Sequence, residues 1–137
     1  MGGNYFELPP TRCFLIWRKL TISEVFSMAM CEYAWTSFND NAKMFECAPQ
    51  GTPNEPRFHP TQKPVKLYSW VLSNYAKQGY KILDTHVGSG SSLIACHRQG
   101  LEYVGFEIDP EYYKAAFKRL ETEKAQMNIF DLLKERE

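Results

Sequence analysis

The strongest constraint on this 137-residue chain lies just past its middle, where an acid, a glycine-rich turn, a helix and a second acid follow one another. Lys81-Ile-Leu-Asp84 reads as a short strand ending in a carboxylate, and His86-Val-Gly-Ser-Gly-Ser-Ser92 as the turn after it. A helix is expected from Leu93 to about Gln99, with Ser91 or Ser92 as its cap and Gly100 as its stop. Tyr103–Ile108 is then a second strand, with Glu107 near its end. Strand, turn, helix and strand within about thirty residues make a βαβ unit with a right-handed crossover.

Helices and strands are expected on both sides of this unit. Upstream, Pro64 suits a first helical position, Leu67, Val71, Leu72 and Tyr75 form an apolar face, and Gly79 suits the stop. Downstream, Asp109-Pro110 opens a last helix with Tyr113, Phe117 and Leu120 on one face. Beyond Glu121 charge dominates, although Met127, Ile129, Phe130, Leu132 and Leu133 offer a docking face. Near the N-terminus, Cys13-Phe-Leu-Ile-Trp17 has the apolar, aromatic and β-branched character of a buried strand. Met28–Phe38 is a strand, or a short helix with a strand; periodicity does not separate the two. Between Asn39 and Pro60, Pro49, Pro53, Pro56, Pro60 and Gly51 argue for a loop and against a central strand or long helix.

Composition narrows the class of protein. With 44% hydrophobic and 23% charged residues, the chain is balanced for one ordinary core rather than for disorder. Net charge is zero, so bulk charge gives no reason to expect a polyanion; residues 1–81 are slightly basic and 82–137 slightly acidic. Cys13, Cys31, Cys47 and Cys96 show no metal-ligand spacing, and His59, His86 and His97 do not cluster with them, so reduced thiols and no metal site are expected. No apolar run is long enough to span a bilayer and no signal-peptide pattern is present. A soluble, cytoplasmic protein is expected.

The turn has the geometry of a nucleoside site. In open α/β sheets, ligands sit beyond the carboxyl ends of the strands, near helix N-termini. Gly88 and Gly90 would let a ligand approach the main chain. Glu107 follows Gly88 by about twenty residues, the spacing at which an acid meets ribose hydroxyls. A P-loop nucleotide would require Lys where Ser91 stands, and a dinucleotide G-x-G-x-x-G would require a third glycine that this turn lacks. A methionine-linked nucleoside suits Asp84, whose carboxylate can hold a cationic amino group. The remaining alternative is that Asp84 and the glycines only make a tight strand-to-helix turn.

Upstream of the turn stands His59-Pro-Thr-Gln-Lys-Pro64. Together with Asp84-Thr-His-Val-Gly-Ser-Gly-Ser-Ser92, this segment strongly resembles the DNA N6-adenine and N4-cytosine methyltransferase family, in which an HPTQKP-like motif opens a helix leading into a DPFxGSGTT-like cofactor motif. The resemblance runs from about Gly2 to Leu120. It implies an α/β, Rossmann-like, S-adenosylmethionine-dependent methyltransferase fold, S-adenosyl-L-methionine as cofactor and DNA as partner. It further implies methyl transfer to an exocyclic amine, adenine ahead of cytosine, of the kind found in restriction–modification systems. By position, Asp84, Gly88 and Gly90 match the cofactor turn, Glu107 the ribose ligand, and Thr61, Gln62 and Lys63 the methionine side of the cofactor. For His59 and His86, packing or turn roles are expected, and none is assigned to His97.

One motif is missing. The family's catalytic tetrapeptide, Asp/Asn/Ser-Pro-Pro-aromatic, holds the target amine through a polar acceptor and stacks a ring on a flipped base. Leu8-Pro-Pro-Thr11 has neither acceptor nor ring, so no catalytic residue is assigned. Met-Gly-Gly-Asn-Tyr-Phe6 matches a segment that follows the tetrapeptide in relatives with this motif order, so the chain resembles the C-terminal portion of such an enzyme, with an incomplete sheet. Its expected partners are then DNA and either a missing N-terminal fragment or a second copy. The alternative is a cofactor- or DNA-binding remnant without activity of its own. Residues 39–58 stand where the family keeps a DNA-contacting region: Lys43 and Arg57 are candidates for phosphate, and Phe45 or Phe58 for stacking, against a merely solvated connection.

Overall fold

A computed structural model describes residues 6–50 and 57–134, with side chains in the last helix described as far as Gln126. The segment Gly2–Tyr5, residues 51–56 and the apolar side chains beyond Gln126 named above lie outside the described residues. The chain divides into two compact units, Met1–Gly51 and Thr52–Glu137.

The first unit is a three-stranded sheet in the order β2-β1-β3, built from β1 (Phe14–Lys19), β2 (Cys31–Trp35) and β3 (Lys43–Cys47). Strand β2 runs antiparallel to β1 with Ile16 opposite Tyr33, and β3 runs parallel with Ile16 beside Met44. Alternation along the central strand buries Leu15, Trp17 and Lys19 on one face, continuing the line of buried Cys13. The Trp17 indole donates to the Cys47 carbonyl at 3.1 Å, and the Lys19 ammonium pairs with Glu32 at 2.8 Å while lying 5.4 Å from the Trp17 ring. A buried ammonium is tolerable only with such a partner. Met28–Phe38 thus resolves as a strand rather than a helix.

The expected loop at 39–58 is corrected by β3. The three prolines of this region, Pro49, Pro53 and Pro56, all follow β3, so Lys43-Met-Phe-Glu-Cys47 is free of Pro and Gly and takes an edge position. Proline density averaged over the whole segment concealed this Pro-free stretch.

The second unit holds α1 (Val65–Tyr75), β4 (Lys81–Asp84), α2 (Ser91–Arg98), β5 (Glu102–Gly105) and α3 (Pro110–Lys134). Strands β4 and β5 are parallel, Leu83 beside Val104, which makes β4-α2-β5 the expected βαβ unit. The core is Val65 of α1, Ile94 and Ala95 of α2 and Leu120 of α3, with Tyr68, Leu72, Leu93 and Tyr103 packed against it. Polar ties bind the helices. Gln99 donates to the Ser69 carbonyl at 2.9 Å, and Arg98 forms a two-pronged pair with Glu123 at 2.6 and 2.9 Å. The Arg98 hydrogen bond holds the Glu123 carboxyl below its ordinary range.

Local boundaries differ from expectation in four places. Pro64 is the residue before the first helical one, with an extended ψ of 142°, and Gly79 lies in the turn closed by Tyr80 N–H and the Lys77 carbonyl, beyond the α1 stop at Ala76. The α2 cap is Gly90 in the left-handed region rather than Ser91 or Ser92, both of which sit inside the first helical turn with their hydroxyls used elsewhere. The second strand ends at Gly105, but pairing continues through Phe106 N–H to the Asp84 carbonyl at 2.9 Å and Val87 N–H to the Phe106 carbonyl at 3.0 Å. Among the described residues, no helix is long and apolar enough to cross a membrane.

Candidate functional site

Three short segments of the second unit meet at the carboxyl end of β4 and β5. The first is the turn between β4 and α2. Its backbone needs positive φ at Gly88 (54°) and Gly90 (77°), which only glycine adopts without steric cost. Asp84 organises the start of the turn: Oδ1 accepts from His86 N–H at 2.9 Å, and Oδ2 accepts from the Ser92 hydroxyl. A carboxylate has about four acceptor positions, so Asp84 keeps capacity for a further donor.

The second is the segment after β5. Glu107 Oε2 accepts from Gly88 N–H at 2.7 Å, while Oε1 accepts from Asp109 N–H at 3.0 Å. Those amides, Asp109's first and then Gly88's, hold the carboxyl below its usual range, so it is an anion at neutral pH. Asp109 in turn caps α3, accepting from the amides of Glu111 at 2.8 Å and Tyr112 at 3.0 Å. An apolar groove opens beside Glu107, lined by Val87, Leu93, Gly105, Tyr113, Phe117 and Leu120.

The third is the His59–Lys63 turn. Thr61 is exposed, and its amide donates to His59 Nδ1 at 3.2 Å. Gln62 is buried, and its side-chain oxygen accepts from Phe58 N–H at 3.3 Å. Half-buried Lys63 reaches back to the Thr61 carbonyl at 3.5 Å. These contacts shape the turn itself, and His59 carries it to Gly88, its Nε2 lying 3.4 Å from where a Gly88 Cβ would stand.

The structure therefore brings Asp84, Gly88, Gly90 and Glu107 together and links Thr61 to them through His59. Gly90 has a further reason to be glycine. The space a Cβ would fill is closed by Ala116 of α3, at 3.3 Å from its Cβ, so the absent side chain serves helix packing rather than ligand approach. Sequence reasoning passed over Ser89 and Arg119 and took Ser91 only as a candidate helix cap. The Arg119 guanidinium donates to the Ser89 carbonyl and the Ser91 hydroxyl, both at 2.9 Å, clamping the turn from α3. No local pattern marks a contact between residues thirty apart.

Other candidates resolve differently. Lys43 pairs with Asp40 at 2.9 Å within the first unit, and Arg57 donates to the Pro60 carbonyl at 2.7 Å within the second. In the Leu8–Thr11 segment the Pro9 carbonyl accepts from the Trp35 indole at 2.7 Å, a structural use. Burial, with a smaller contribution from the Asp84 charge, pushes the Cys96 thiol up to about 11, so it is no nucleophile at neutral pH. No group of three or more His, Cys, Asp or Glu fit to hold a metal occurs among the described residues.

A parallel βαβ unit with a left-handed glycine turn and an ionised acid just beyond the second strand is the arrangement on which nucleoside-binding α/β domains are built. The comparisons make this specific. A family model described as DNA methylase matches residues 16–118, and the chain belongs to the DNA N6-adenine/N4-cytosine methyltransferase family. Among curated relatives, the type II methyltransferase M2.DpnII of Streptococcus pneumoniae is 43% identical over 65 residues, covering 47% of this chain and 24% of the relative. The type II methyltransferase M.HpaI of Haemophilus parainfluenzae is 37% identical over 78 residues, covering 57% of this chain and 24% of the relative. The chain thus spans about a quarter of the length of these relatives. A solved structure of an M1.HpyAVI–SAM complex is similar in fold, with a TM-score of 0.58 and 21% identity over 78% of this chain and 60% of that one. The fold is accordingly the Rossmann-like α/β methyltransferase fold in partial form.

Proposed function

We propose that this chain provides the cofactor-binding portion of an S-adenosylmethionine-dependent DNA methyltransferase, acting on the exocyclic amine of adenine, with cytosine as the alternative target. The observation that carries the reading is the glycine turn held against the ionised Glu107 in a chain of this family. The residues fit the group. Glu107 is an anion half open to solvent, suited to accept from ribose hydroxyls, and Asp84 retains acceptor capacity for a cationic amino group. Gly88 presents main chain without a side chain on a left-handed turn. Thr61, Gln62 and Lys63 form the methionine side, and Gly90 acts by setting the turn.

When bound, S-adenosylmethionine supplies an electrophilic methyl group. The contribution of this chain is proximity and orientation: Asp84, Glu107 and the glycine turn would hold the donor in place. DNA is the proposed partner, with Lys43 and Arg57 of the 39–58 region offered to phosphate. The proposed setting is a restriction–modification system in the cytoplasm, supported by the type II methyltransferase names of the relatives.

The test is calorimetric titration of the full chain with S-adenosylmethionine, alongside Asp84→Ala and Glu107→Ala. Binding by the wild type that both substitutions weaken is the expected result. No binding by a folded wild type would overturn the cofactor reading. A second reading, a binding module that cannot transfer a methyl group unaided, is favoured by Leu8-Pro-Pro-Thr11, which lacks acceptor and ring and whose Pro9 carbonyl is taken by Trp35. It is tested by methyl incorporation into DNA with and without an added N-terminal polypeptide.

A further inference from the structure

We infer that His59 is a positioning residue of the cofactor site, one imidazole that sets the Gly88 turn and the Glu107 carboxylate relative to the Thr61–Lys63 segment; the inference rests on the cofactor reading proposed above. The ring makes contacts on three sides. Its Nδ1 accepts from Thr61 N–H at 3.2 Å and lies 3.2 Å from the Thr61 hydroxyl oxygen. Its Nε2 and Cε1 stand 3.4 and 3.5 Å from the position a Cβ on Gly88 would take. It packs against Tyr112 in a tilted pair, with centroids 4.3 Å apart and planes at 58°.

These contacts close a circuit. Gly88 N–H donates to Glu107, Asp109 N–H donates to the other oxygen of Glu107, and Tyr112 N–H donates to Asp109. The Tyr112 ring then returns to His59, and His59 returns to Gly88. Every member of the circuit except His59 comes from the two segments after β4 and β5. His59 is a link through which the upstream turn is registered against them. Because Nδ1 accepts from a backbone amide, the ring in this arrangement carries its proton on Nε2. A residue in the left-handed region with no side chain has little of its own to hold it, and the ring stands at van der Waals distance from the position a Gly88 Cβ would take.

Ring and acceptor can be separated by substitution. His59→Asn keeps an acceptor two residues before the Thr61 amide, as in an Asx-turn, but loses the ring. His59→Phe keeps a ring but loses the acceptor, and His59→Ala loses both. The full-length variants are titrated with S-adenosylmethionine by calorimetry, and the thermal midpoint of each is measured without ligand. His59→Ala is expected to bind roughly tenfold more weakly, a loss of about 1.4 kcal/mol, with Asn and Phe each recovering part of the affinity. The Asn variant is expected to keep the wild-type midpoint, which separates positioning from general stability. If Asp84→Ala and Glu107→Ala weaken binding while all three His59 variants bind as the wild type does, the role assigned to His59 is wrong and the cofactor site stands. If affinity falls only in step with the ligand-free midpoint, His59 is a structural residue and the inference is overturned. No binding by the folded wild type removes both readings together.

Discussion

Glu107 shows how one side chain serves the fold and the site together. Its two oxygens accept from the amides of Gly88 and Asp109, so the carboxylate spans the gap between the glycine turn and the start of α3. Those bonds favour the charged form and lower its pKa from the ordinary 4.5. The sign of the linkage follows: a depressed carboxyl pKa contributes stability that is present above the unfolded value and is lost as pH falls through the folded one. Glu107→Gln is therefore expected to be less stable than wild type at pH 7, with the difference shrinking as pH drops below about 4.5. Urea melts of both proteins at pH 7 and pH 3.5 check this; a gap that is constant with pH would mean the carboxylate charge plays no part. The same variant should bind S-adenosylmethionine more weakly at neutral pH, since an amide is a poorer acceptor than a carboxylate for ribose hydroxyls.

At the scale of elements, glycine positions separate what the backbone needs from what packing needs. Gly100 has φ of 66° with nothing within 4 Å of an added Cβ, Gly90 has φ of 77° with Ala116 at 3.3 Å, and Gly105 in β5 would place a Cβ 2.4 Å from Val87 Cγ2 and 3.0 Å from Leu93. An alanine in the left-handed region costs about 1–2 kcal/mol, and overpacking a filled site typically about 1–3 kcal/mol. Gly100→Ala should lose only the backbone part, Gly90→Ala the backbone part plus a shift of α3, and Gly105→Ala the packing part alone. Chemical denaturation of the three variants gives the ranking, and Gly90→Ala no less stable than Gly100→Ala would refute the close packing of α3 on the turn. The same positions show what could be read in advance. The βαβ unit was legible because short-range signals agree: two short strands, two permissive residues in the turn, an acid at each end and a glycine at the helix stop. The meeting of Asp84, Gly88 and Glu107 at the carboxyl end of the β4–β5 pair was legible for the same reason. By contrast, the tightness at Gly105 and the Arg119 clamp depend on residues brought from afar, and β3 was hidden by prolines that begin only after it.

At the scale of the whole molecule, the β4–β5 pair is the feature that most calls for a complement. Alternation along β5 places Val104 on one face, and the same spacing carries on to Phe106 and Ile108. With Leu83 on β4, these side chains are exposed by 57, 60, 100 and 62% in that order. Apolar side chains in a contiguous row on a short parallel pair are the pattern of a surface meant to be covered, since parallel strands are ordinarily buried on both faces. The motif the family uses to hold the target amine is also missing, because the only Pro-Pro step in the chain is Pro9-Pro10. Under the function proposed above, both features predict the same addition. A polypeptide carrying a strand that ends in Asp-Pro-Pro-aromatic, together with its flanking helix, should cover these residues and restore methyl transfer. Alone, the chain should bind S-adenosylmethionine, take up a hydrophobic dye and leave DNA unmethylated. With the added polypeptide, dye fluorescence should fall and labelled methyl groups should enter DNA. Replacing Phe106 and Ile108 by Lys should abolish both effects of the addition while leaving the cofactor titration of the chain alone within about twofold of wild type. Methylation by the chain alone would sink the need for a partner. A partner that lowers the dye signal without restoring transfer would identify the chain as a binding module and not as half of a divided enzyme.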